Sequence, residues 1–111
     1  MPRAKRKIQY AITIDGHSLI WHLHRDQQGS VEDGWRGVAI HVKAAEGVHR
    51  ELYLEYLAVI PQKSLYMKTL PAQPAIRPSK VEANIRQAMA DGWDPDSRGK
   101  PYVYEVEDSP A

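Results

Sequence analysis

Two alternating runs separated by Asp15-Gly16 constrain this chain more than any other feature. In residues 8–14, Ile8, Tyr10, Ile12 and Ile14 fall on one side and Gln9, Ala11 and Thr13 on the other. Residues 18–24 alternate again, with Leu19, Trp21 and Leu23 set against Ile20, His22 and His24. Successive side chains of a strand point to opposite faces, so each run reads as a half-buried strand. Asp-Gly between two such runs supplies the positive-φ pair of a tight hairpin turn. The fold therefore begins with an antiparallel pair whose apolar face needs a cover.

The rest of the chain supplies more sheet and one cover. Residues 25–37, rich in Gly and Asp, read as a loop, with Trp35 folding back on the core edge. A third strand is expected over about 37–44, with Val38, Ile40 and Val42 opposite His41 and Lys43. Glu46-Gly47 makes a turn. A fourth strand follows over about 50–60, with Leu52, Leu54, Tyr56, Ala58 and Ile60 inward and Glu51, Tyr53 and Glu55 outward. A short fifth strand is expected over 64–70, and Pro71, Pro74 and Pro78 stiffen a crossover.

The helix is the sharpest element. Ser79 and Glu82 have the spacing of a capping box, and Val81, Ile85, Ala88 and Met89 repeat at helical intervals. Gly92 is placed to end it, with Trp93 returning onto the last turn. Asp94-Pro95-Asp96-Ser97 has a type I turn signature, and a last strand runs over about 102–107. The order is β-β-β-β-(β)-α-β. It predicts a two-layer α+β fold, an antiparallel sheet of five or six strands with one helix on one face and the other face open.

The 111 residues suit a single domain, read as residues 8–111 behind a flexible basic arm at 1–7. Usage of 42% hydrophobic and 26% charged residues is ordinary for a globular chain. The absence of cysteine excludes disulfides, thiolate metal sites and thiol nucleophiles. No segment has the length of a membrane span or the apolar continuity of a signal peptide, so the expected location is the cytoplasm, with no membrane partner. The aromatic set has no Phe but six Tyr and three Trp, which favour the rim of a core or an interface.

Net charge is +1, from 15 Lys and Arg against 14 Asp and Glu. Arg3, Lys5, Arg6 and Lys7 lie in the first seven residues, so the rest of the chain is mildly acidic. Those four bases are candidates for phosphate or an acidic partner, and nucleic-acid contact is expected only through them. A frayed, solvated start is the plainer explanation of them.

A resemblance appears near the end of the chain. Ile85-Arg86-Gln87-Ala88-Met89, leading into Gly92-Trp93-Asp94-Pro95 and then Ser97-Arg98-Gly99-Lys100-Pro101-Tyr102, resembles the tail of small bacterial proteins of uncharacterised function, some carried on mobile integron-type gene cassettes. It covers about a quarter of the chain and implies no activity.

Candidate chemistry centres on histidine. His22 and His24 share a strand face, and His41 joins them if the second and third strands pair. With Glu55 these residues form a candidate zinc or ferrous iron site, two ions that suit nitrogen and carboxylate ligands with an open position. An ordinary solvated face carries the same residue types. No nucleophile elbow, phosphate loop or metalloprotease motif occurs. The leading expectation is therefore a binding or interaction protein without catalysis and without a required cofactor. It would act through the open sheet face, where Ile20, Tyr53, Leu57 and Val103 mix apolar and polar groups, or as a homo-oligomer.

Overall fold

A computed structural model describes residues 9–30, 32, 34–47, 49–58, 76–108 and 110. The strands are β1 (Gln9–Ile14), β2 (His17–Arg25), β3 (Gln28–Ser30), β4 (Gly34–Arg36), β5 (Ala39–Ala44), β6 (Leu52–Tyr56) and β7 (Tyr102–Val106), with the helix α1 (Pro78–Asp91) between β6 and β7. The fold is α+β. The expected basic arm, the fifth strand at 64–70, Pro71 and Pro74 lie outside the described residues.

The β1–β2 hairpin forms in the register the alternation requires, from Gln9 opposite His22 to Ile14 opposite His17. Asp15 and Gly16 take φ values of 50° and 84°, the left-handed pair that matches the twist of the two strands. The main sheet has the order β1-β2-β5-β6-β7. It is antiparallel from β1 through β6, but β7 runs parallel to β6, so the sheet is mixed. The reason is topological: α1 carries the chain back along the sheet, and a strand entered after a crossover lies parallel to the one before it. Residues 25–37 are more than a loop, since β3 and β4 pair as a separate two-stranded ribbon. Trp35 is half-buried opposite Gly29 in that ribbon and does not join the described core.

The core lies between α1 and one sheet face. Leu19, Trp21, Ile40, Val42, Leu52, Leu54 and Val106 from the sheet meet Val81, Ile85 and Ala88 from the helix. Asn84 also sits in this helical stripe and is buried; its Oδ1 accepts a 2.8 Å hydrogen bond from the Tyr56 hydroxyl. Burial holds the Tyr56 phenol well above its ordinary pKa, so it remains a donor.

The helix starts differently from the capping-box expectation. Arg77 is the N-cap, no side chain caps the helix, and Pro78 opens it. Proline is pre-set for a first helical position, and its missing N–H would have been unpartnered there anyway. The end follows the sequence: Gly92 has φ of 134°, and the Trp93 N–H bonds Ala88 O at 2.9 Å. Trp93 is 2% exposed, and its ring N–H reaches Arg50 O. The Asp94–Ser97 turn closes with a Ser97 N–H to Asp94 O bond of 3.1 Å. Among the described residues, no helix is long and apolar enough to cross a membrane.

Candidate functional site

The face of the sheet away from α1 collects the histidines. β2 and β5 pair antiparallel with His22 directly opposite His41. His24, two residues beyond His22, lies on the same side by strand alternation, with its ring centroid 6.4 Å from that of His41. On the next strand Tyr53 is opposite His41 and stacks on it, with ring centroids 4.8 Å apart. His22 meets the His41 ring edge-on at 4.9 Å, and His24 meets Tyr53 edge-on at 5.0 Å. The four rings form one continuous strip across three strands, in the stacked and T-shaped geometries that aromatic quadrupoles favour.

Half of this strip is withdrawn from solvent, while His24 is exposed and Tyr53 half-buried. His22 is 7% exposed and His41 9%. Burial lowers the pKa of His41; Glu51, whose carboxylate lies 3.2 Å from Nε2, pulls the other way, and Lys43 and His24 add to the lowering. The net direction favours the neutral imidazole.

Glu55, expected beside the histidines, is engaged elsewhere. Its carboxylate accepts a 3.0 Å hydrogen bond from Arg25, which also donates to Gly37 O. The bulge between Leu23 and Arg25 sets Arg25 opposite Ala39, itself opposite Glu55, so the carboxylate is taken up by the guanidinium. Among the described residues, no group of three His, Asp or Glu side chains is arranged to hold a metal ion.

Of the expected partner surface, Ile20 and Tyr53 are half-buried. Val103 on β7 is 58% exposed, and Leu57, just past the end of β6, is 57% exposed. Sequence reasoning missed Tyr10, which lies on the core side of β1 yet is 41% exposed, stacked on Trp21 at 4.3 Å. Its alternation gave a face but could not show that β1 is the outermost strand. A second site was also missed. His17 and His49 line one surface hollow together with Glu46 and Asp96, and His17 Nδ1 lies 3.6 Å from Asp96. His17 opens β2, Glu46 and His49 lie between β5 and β6, and Asp96 lies between α1 and β7, so no single spacing in the chain announces them. Arg3, Lys5, Arg6 and Lys7 lie outside the described residues.

No protein family, curated protein or solved structure matches this chain.

Proposed function

We propose that the protein works by binding, as a small cytoplasmic homo-oligomer without catalytic activity, and that its contacts are made at the margins of its sheet. The observation that carries this reading is where its exposed large apolar side chains fall: Tyr10 on the outer strand β1, Val103 on the outer strand β7, and Leu57 at the end of β6. Among the described residues the other large apolar groups are buried or half-buried, and apolar exposure gathered at the sheet margins suits strand-to-strand or patch-to-patch association. The bacterial, cassette-borne origin suggested by the C-terminal segment belongs to the same proposal.

Amide hydrogen exchange of the full chain, followed from micromolar to millimolar concentration, tests it. Protection that grows with concentration in β1 or β7 supports contact at the sheet margin. Exchange that is independent of concentration in both strands overturns it.

A metal-binding role for His22, His24 and His41 is the second reading. It is favoured by the direct His22–His41 pairing. Zinc, or ferrous iron without oxygen, should then raise the unfolding temperature saturably, and His22→Ala or His41→Ala should abolish the rise. No rise leaves the ring strip as packing.

A further inference from the structure

Among the described residues β1 and β7 are the outer strands of the main sheet, and they are built differently. β7 has five residues, follows Pro101, contains Glu105 and runs into Glu107 and Asp108. Charges, short length and proline are the devices by which natural sheets keep an edge from pairing with another chain. β1 has six residues, Gln-Tyr-Ala-Ile-Thr-Ile, with no charge, proline or glycine. Its register against β2 runs without a bulge. Such a strand presents an unguarded row of backbone donors and acceptors.

Which groups face outward follows from the hairpin. In a hairpin with a two-residue turn the flanking pair is the hydrogen-bonded one, here Ile14 with His17. Alternation then directs the backbone groups of Ile14, Ile12 and Tyr10 at β2. Those of Gln9, Ala11 and Thr13 point away from the sheet.

We propose that β1 is a dimerisation edge, pairing antiparallel with β1 of a second copy about a two-fold axis at Ala11. In this register Ala11 meets Ala11, Gln9 meets Thr13, and Tyr10 meets Ile12. All three are neutral pairings, and only the residue on the axis, Ala11, meets its own copy. Pairing would cover Tyr10 and merge two five-stranded sheets into one. The inference rests on the binding reading above and adds the partner, the strand and the register.

The test is sedimentation equilibrium of the full chain. The expected species has twice the 12.6 kDa chain mass. Ala11→Pro removes only an outward N–H and should raise the dimer dissociation constant at least about tenfold while leaving the far-ultraviolet spectrum unchanged. If that variant fails to fold, Ala11→Lys serves instead. Its side chain lies at an exposed position, and its charge meets its own copy across the axis. Because the chain has no native cysteine, Ala11→Cys should form a covalent dimer on mild oxidation or with a short thiol cross-linker. A monomer at every concentration overturns the proposal. So does a dimer that survives both Ala11→Pro and Ala11→Lys; if that dimer yields to Val103→Glu, the binding reading stands with β7 as its edge.

Discussion

The two faces of the main sheet use the same strands for different purposes. Along β6, Leu52, Leu54 and Tyr56 are buried against the helix side, while Tyr53 and Glu55 between them face the other way and are half-buried. The helix side is held by apolar contact, with one polar pair, Tyr56 and Asn84, satisfied inside it. The far side is held by rings packed on rings and by an Arg25–Glu55 ion pair. A face of the first kind is stabilised by area removed from water and is indifferent to pH. A face of the second kind depends on which protonation state its imidazoles hold. Both bury residues deeply, so depth of burial alone does not separate them; the chemistry of the buried groups does.

The largest effect should come from the helix side. Leu54 is fully buried, and Leu54→Ala should lower stability by about 2–5 kcal/mol in urea unfolding. Tyr53→Ala, one residue away on the far side, should cost closer to about 1 kcal/mol, the scale of a ring pair. Equal losses would break the distinction between the faces.

Next in size is the buried polar pair. Tyr56→Phe leaves the Asn84 oxygen without its phenol donor and should cost about 1–3 kcal/mol. A neutral result would mean that another group satisfies Asn84.

The far side should be sensitive to acid. His41 binds its proton less tightly in the folded state than its ordinary pKa of 6.5, chiefly because it is buried. The unfolded chain then takes up more protons, so the contribution is fully present above pH 6.5 and is lost as pH falls through the lower folded-state value. The groups around it are Glu51, Lys43 and His24, with the His22 and Tyr53 rings packed against it. Thermal unfolding from neutral to mildly acidic pH should show the decline, and His41→Gln should flatten it. An unchanged slope in that variant would assign the acid sensitivity to other groups.

The smallest effect is expected at the surface. Lys80 and Asp108 approach to 2.7 Å, but their side chains are 28% and 60% exposed. Lys80→Ala should change stability by less than about 1 kcal/mol, and less again in high salt.

Most of the strand content was legible because alternation is a local signal. Gln9–Ile14 and His17–Arg25 follow their patterns to within a residue or two, and Asp15-Gly16 names its own turn. Asn84 was also within reach, since it falls on the same helical stripe as Val81 and Ala88. The helix start was misread because Ser79 suits a cap so well; Pro78 at the first helical position moved the boundary back to Arg77. The ribbon of β3 and β4 was hidden because three-residue strands carry too little periodicity to stand out from a glycine-rich loop.

The candidate site was legible only in part. His22, His24 and His41 do share a face, as alternation and pairing required. That they would be packed rings depended on Tyr53 falling opposite His41, and that Glu55 would turn to Arg25 depended on a bulge at one residue.

By itself, then, the sequence determined which residues form strands and helix, which side of each strand is apolar, and where the chain turns. Those properties depend on neighbours within a few positions. Only the tertiary structure decided that β7 lies parallel beside β6, that β1 is left outermost with an uncharged edge, that His22 and His41 are buried, and that His17 and His49 share a hollow. Each of these depends on which strands become neighbours. That choice is set by packing the whole sheet against one helix, and no local pattern encodes it.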